Sequence, residues 1–456
     1  MVNGRWLPLA PKKFSLAFVS YVARRVREIV VLEIKVNNLA ARAIAMTSGV
    51  AVCALLILGA LVNLGVNLLT DPRVSAPKQL LTAAIAYLPN SAPLNARLAQ
   101  AEMMEEDRDL SSIEKRVARA VDHSPWDYRQ RLLLATVKEA AGDRAAAEQA
   151  LQEALLLAPN YPEVHWRLAN LLLREGKLSK SVSEFRAATS SNKSLLPGTL
   201  DLLWRVSAGN LNVAQAVTPS DPASRLVLAQ FLLRQFRANE AITVFGDIDR
   251  DPLILLPDSS AFINSLMAEG HLEEARALWA WLVSGDDSQP APLGIWNGSF
   301  ESDLSSKLAQ FDWAITRSDY ALPSIDTTVA RTGSRSLRVD FAGRDTTRLD
   351  GQIKQIIVVR AGGKYRLECY AKSERLETPE GPRVVVMDIT STKEIASSDA
   401  VAAGTNDWRR IAIDFSTPTS ARAVVVGIKR VPKFSYDKPT RGTVWFDDFA
   451  LIEQPQ

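Results

Sequence analysis

Cysteine and histidine are scarce, with two of the first and three of the second in 456 residues. Cys53 lies in an apolar run and Cys369 in a strand-like segment far along the chain, so no disulfide framework is available. His123, His165 and His271 are scattered without metal-ligand spacing and read as structural or surface residues. An excess of one charge is missing too: 54 Lys and Arg face 51 Asp and Glu, which lacks the basic footprint of a nucleic-acid binder. There is no G-x-S-x-G elbow, P-loop, H-E-x-x-H or strand-borne G-x-G-x-x-G, so no catalytic residue is assigned and no enzyme is expected.

What the chain does have is a long apolar run. From Ala43 to Val62 no residue is charged, and the uncharged stretch continues to Thr70. About 20 apolar residues in a helix span a bilayer. A cleaved signal peptide would have a shorter apolar core close behind a short basic start, so an uncleaved single-pass anchor over residues 43–69 is expected. Lys and Arg resist translocation. Arg5, Lys12, Lys13, Arg24, Arg25, Arg27, Lys35 and Arg42 precede the run, and only Arg73 and Lys78 closely follow it. These flanks predict a bacterial inner-membrane protein with residues 1–42 in the cytoplasm and all beyond about residue 70 outside it. Between Phe14 and Leu39 apolar residues recur near helical spacing beside an arginine cluster, which reads either as an interfacial amphipathic helix or as an ordinary cytoplasmic helix.

Two blocks then align without a gap, one from Ser124 and one from Ala158. Pro125 and Pro159, Ala135 and Ala169, Gly142 and Gly176, and Ala154 and Ala188 each differ by 34 positions. This pattern resembles the tetratricopeptide repeat, a helix-turn-helix unit. The small alanines let two helices approach, the glycines make the turn, and Leu151 and Phe185 fill the space between hairpins. Weaker units follow: Phe236, Ala241 and Phe245 precede Gly270, Ala275 and Trp279 by 34, with Phe236 departing from the turn glycine. Upstream, Pro89, Leu98 and Ala99 suggest a diverged unit, and Leu195–Val217 reads as a weak one. Stacking of such units predicts an all-α superhelix over residues 76–284. The resemblance implies that first helices line a concave face for partner proteins, with Tyr128, Arg131, Arg167 and Asn170 pointing into it.

Beyond a linker-like stretch near Ser288 the texture changes to β-branched alternation in short runs divided by Gly and Pro, which argues for an all-β sandwich over residues 290–456. WNGSFE at Trp296, TGSRSLRVDF at Thr332, YRLECYAKSE at Tyr365, DWRRIAIDF at Asp407 and GTVWFDDFALIE at Gly442, in that order, resemble carbohydrate-binding jelly rolls appended to bacterial glycoside hydrolases. That family implies a structural Ca2+ between the first motif and the last strand, with Glu301 and Asp448 as the matching ligands. Sugar recognition needs exposed aromatic faces, for which Tyr320, Phe434 and Tyr436 are the candidates, while Trp296, Phe311, Trp313, Trp408, Trp445 and Phe446 read as core. Asp447 and Asp448 should point to opposite faces of one strand.

The expected chain is therefore multidomain: a single N-terminal transmembrane helix, an all-α tetratricopeptide-type superhelix and a C-terminal jelly-roll sandwich. Its expected role is a membrane-tethered scaffold for envelope or polysaccharide-assembly proteins. The alternative is a surface protein whose jelly roll binds a polysaccharide and whose repeats are a stalk.

Overall fold

The computed structural model describes residues 39–284, 294–344, 348–432, 434 and 437–455. The amphipathic segment before residue 39, the expected linker and Tyr436 lie outside them. The chain divides into two compact units, residues 1–143 and 144–456, each considered by itself.

The first unit opens with α1 (Leu39–Thr70), followed by α2 (Lys78–Tyr87), α3 (Ala92–Met103), α4 (Leu110–His123) and α5 (Tyr128–Ala140). Within α1 the 29 residues Arg42–Thr70 have a mean hydropathy of 2.4 and none of the apolar window is buried. It is long and apolar enough to cross a membrane. Its last turns do not end free: Val66 and Leu69 pack on Leu81, Leu94 and Leu98. The Asp109 carboxylate starts α4 by accepting from the amides of Ser111 and Ser112 at 3.0 and 3.2 Å, as an N-cap does. Ala99, Ile113, Val117 and Val137 then form a common core.

The second unit contains α6 (Arg144–Leu157), α7 (Pro162–Arg174), α8 (Leu178–Ser191), α9 (Leu196–Val206), α10 (Leu211–Val217), α11 (Pro222–Arg234), α12 (Ala238–Gly246), α13 (Arg250–Leu255), α14 (Pro257–Ala268) and α15 (Leu272–Ser284). Between α7 and α8 the expected mechanics are visible. Gly176 makes the turn at φ +75, Ala169 is fully buried, and the Ser181 hydroxyl donates to its carbonyl at 2.8 Å, so the helices approach closely. Leu195–Val217 does form a hairpin, α9 with α10. One helical core runs on through Phe185, Phe231, Phe245 and Phe262 to Trp279.

Ten strands follow: β1 (Ala314–Ile315), β2 (Ala321–Asp326), β3 (Ser336–Ala342), β4 (Ile353–Val358), β5 (Lys364–Glu377), β6 (Arg383–Asp388), β7 (Glu394–Ser397), β8 (Gly404–Ser416), β9 (Ala423–Lys429) and β10 (Arg441–Gln454). They form two five-stranded sheets, β1-β4-β9-β6-β7 and β2-β3-β10-β5-β8. Every described pairing is antiparallel. Alternate residues such as Leu337, Val339, Leu367, Cys369, Val424, Val426 and Phe446 face inward and make a second core, separate from the helical one.

Candidate interaction surfaces

In the first unit α3 and α5, the first helices of successive hairpins, border a cavity of about 310 Å³. It is lined chiefly by polar groups, among them Arg97, Gln100, Asp127, Arg129 and Gln130. Asp127 caps α5 through the Arg129 amide. Burial pushes its carboxyl up, but hydrogen bonds from Arg129 and Gln130 outweigh this and hold it below its ordinary value. Tyr128 and Arg131 are half-buried on α5 and are not among the lining residues; Arg131 Nη2 donates to the Pro125 carbonyl at 3.3 Å.

In the second unit Arg167 is exposed on α7 and pairs with Glu163 one turn back at 2.9 Å. Asn170 is half-buried, and its Nδ2 donates to the Trp166 carbonyl at 2.8 Å. His165 points the other way, into the core. Its ring nitrogens lie 2.7 Å from Glu184 Oε2 and 2.7 Å from the Pro159 carbonyl, so it ties the turn before α7 to α8.

The aromatic candidates of the sandwich lie on different segments. Tyr320 is half-buried just before β2, its carbonyl accepting from Ala342. Phe434 is exposed in the connection between β9 and β10, where its amide donates to Asp437 Oδ2. The sandwich has instead a concavity of about 390 Å³ where β8 meets residues 398–402, lined by Ser373, Asp399, Asn406, Arg409, Arg410 and Ile411 among others. Ser373, Arg409, Arg410 and Ile411 lie within the YRLECYAKSE and DWRRIAIDF runs, but the sequence singled out none of them as a binding residue.

Residues 299–301, 331–335 and 447–448 do come together, as the expected calcium site requires, but the bonds are of another kind. Glu301 accepts from the amides of Ser334 and Arg335, both at 2.9 Å, and from the Ser334 hydroxyl. A Cβ on Gly333, which sits at φ +64, would collide with that carboxylate. Asp448 accepts from the hydroxyls of Ser299 and Thr332 and from Arg331 Nη1 at 2.5 Å. The Arg331 guanidinium also stacks 3.4 Å from the Tyr370 ring centroid. The carboxylate charge that a hard cation would need is already met by protein donors. No group of three or more His, Cys, Asp or Glu residues that could hold a metal exists among the described residues. Glu301 and Asp448 therefore do not fit a calcium ion.

Strand alternation also fails at this point. The β10 register shifts between Asp447 and Ala450 and Asp448 takes φ +53, so both carboxylates reach the same segment: Asp447 Oδ2 accepts from the Arg331 amide at 2.8 Å. Their acidities diverge. Burial raises Asp447; burial also pushes Asp448 up, but its bonds to Thr332, Arg331 and Ser299 outweigh that and lower it.

Trp296 and Phe311 are core residues of a different core. They pack on Trp279 of α15, with ring centroids 5.1 and 5.7 Å away, and Leu308, Ile356 and Val358 join the same cluster. At its centre the buried Arg276 guanidinium lies 4.8, 5.6 and 5.8 Å from the rings of Trp279, Trp296 and Phe311. Its Nη1 and Nη2 have no hydrogen-bond partner among the described residues, and burial pushes its pKa down to about 10.

Residues 138–194 match the tetratricopeptide repeat family. Among solved structures the chain is similar to MamA at 12% identity, with 37% of this chain and 82% of that one covered at a TM-score of 0.25. It is also similar to TTC0263, a thermophilic TPR protein in Thermus thermophilus, at 24% identity over 29% and 70% of the two chains and a TM-score of 0.25. A CBM4 structure is similar at 18% identity over 35% and 99% of the chains, with a TM-score of 0.27. No curated protein matches the chain. The architecture is thus a helical-repeat region of tetratricopeptide type followed by an antiparallel β-sandwich.

Proposed function

We propose that this chain is a non-catalytic scaffold, held in a bacterial inner membrane by α1 with residues 1–42 in the cytoplasm. Its repeats hold partner proteins of cell-envelope or exopolysaccharide assembly and export. The observation that carries this reading is the surface left by the repeats: small residues close each hairpin inward, while first helices present Arg97, Gln100 and Arg129 around an open cavity and Arg167 on an exposed face. Arginine at a partly enclosed polar surface is a frequent energetic anchor of protein interfaces.

The test is Arg97→Glu combined with Arg167→Glu in the full chain. Arg97 gives up one bond to the Val74 carbonyl and Arg167 one exposed ion pair, which is worth about 0.5 kcal/mol. The variant should fold, yet lose envelope proteins that crosslink to the wild type. Retention of the same partners would move recognition away from the first helices.

The second reading, glycan binding by the sandwich, is favoured by the concavity at β8, where guanidinium, amide and carboxylate groups converge. Saturable binding of an oligosaccharide that Arg409→Ala abolishes would establish it; the aromatic candidates Tyr320 and Phe434 lie outside that lining.

A further inference from the structure

Phe236 is out of place twice. It holds the turn between α11 and α12 at φ +58, where Gly176 and Gly270 hold the corresponding turns at +75 and +90. The hydrogen bonds are unchanged: Phe236 and Arg237 donate to Leu233 and Leu232 as Gly176 and Lys177 donate to Leu173 and Leu172. A residue with a Cβ pays for the left-handed conformation that glycine adopts freely. The ring is also 89% exposed and contributes little to the core, so neither feature serves the fold.

The preceding turn is built alike. Ala208 has φ +53 and Val206 is exposed, and the two turns meet where the Arg237 guanidinium lies 5.9 Å from the Trp204 ring centroid. Arg205 and Arg234 flank this apolar patch. Arg205 donates to the Asp201 carbonyl, and Arg234 has no ion-pair partner among the described residues.

The same unit carries a complement. Leu255 is 74% exposed, and Asp249, Asp251 and Asp258, all exposed, surround it in the chain. Leu255 lies just before the start of α14. This is the end of the hairpins at which Arg225, in the first turn of α11, donates to the Asp247 carbonyl at 2.8 Å. The Phe236 turn is at the other end of α11. The exposed charges around the Phe236 turn are therefore chiefly basic, Arg237 being paired with Glu240, and those around Leu255 chiefly acidic, Arg250 lying 3.6 Å from Asp251.

We infer that the two patches bind each other between copies of this chain, the Phe236 patch of one against the Leu255 patch of the next. Opposite charges select that pairing over like with like. Because the two patches differ, each contact leaves one of each free, so copies add head to tail in a row. This self-association does not depend on the identity of any scaffolded partner.

Sedimentation velocity of the detergent-solubilised full chain tests it. The wild type should associate as concentration rises and less so at high salt. Arg205→Glu with Arg234→Glu should weaken association more than about tenfold, and so should Asp249→Lys with Asp251→Lys, since each sets like charges opposite one another. Mixing the two variants should restore association, because their altered patches are again opposite in sign. Phe236→Gly, which relaxes the turn and must fold, should stay monomeric where the wild type associates. A wild type that is monomeric throughout, or a mixture that fails to recover, overturns the inference. If the basic patch instead binds phosphatidylglycerol vesicles and the chain stays monomeric, the patch belongs to a lipid surface and self-association is wrong.

Discussion

The indole N–H of Trp279 donates to the carbonyl of Leu308 at 2.8 Å, across the place where the last repeat helix meets the approach to the sandwich. Nearby, Gln310 Nε2 donates to the Ser260 hydroxyl at 2.6 Å. An open end of a helical-repeat stack exposes apolar surface and needs a cap. Here Leu308, Phe311 and Val358 supply it, so the sandwich is fused to the repeats through a shared core.

Trp279→Ala and Arg276→Met should therefore behave differently. The buried indole fills the junction, and its loss should cost about 3–5 kcal/mol. Arg276 contributes cation–π attraction of about 2 kcal/mol against a desolvation cost of several kcal/mol, and its terminal nitrogens leave no hydrogen-bond partner orphaned when removed. Arg276→Met keeps most of the volume, so denaturation should show its stability unchanged or raised. A loss as large as that of Trp279→Ala would mean the guanidinium is essential to the junction.

Asp326 makes stability depend on acid pH. Burial pushes its carboxyl up, but bonds from Thr328, Trp445 and Val329 prevail and lower it from 3.8 to about 2. A depressed folded pKa adds stability above the unfolded value, and this is lost as pH falls from about 4 through about 2. The shift corresponds to about 2 kcal/mol. Asp447, raised by burial, acts in the opposite sense, so the comparison that isolates Asp326 is wild type against Asp326→Asn. The variant should be less stable by about 2 kcal/mol at neutral pH, with the gap closing near pH 2. A gap that persists there would show that the carboxylate's charge is not what matters.

Calcium should leave the melting temperature of the full chain unchanged, since an ion stabilises only what binds it and Glu301 and Asp448 already satisfy Arg331, Thr332 and Ser334. Glu301→Ala should lower stability equally with calcium or with a chelator, because it orphans the amides of Ser334 and Arg335. A calcium-dependent rise that Glu301→Ala abolishes would restore the ion to this site.

The anchor's orientation is checked by a reporter active only in the periplasm, fused after residue 75. It should be active, because the basic flank before α1 resists translocation. Activity of a cytoplasm-only reporter at that junction would reverse the topology.

Periodicity was enough to read the membrane-length helix and the repeats. A bilayer-length apolar run needs no partner to be recognised, and a hairpin that recurs every 34 residues repeats its own packing rules, with Ala169, Gly176 and Phe185 placed as their types require. The β-branched alternation was enough to read a sandwich and to mark β3, β5, β8 and β10 within their motif runs. β1, β2 and β7 were not legible, because two or four residues cannot show a period and Pro323 disguises the edge strand β2. Proximity was what only the tertiary structure decided. One extra residue's worth of slip in β10 turned Asp447 and Asp448 toward the same loop, and Arg331 then neutralised a carboxylate expected to bind metal. Trp296 and Phe311 were correctly read as core residues, but which core they entered depended on Arg276 and Trp279, a helix away in sequence. Local pattern specifies which face of an element is apolar; what covers that face is settled only when the elements pack.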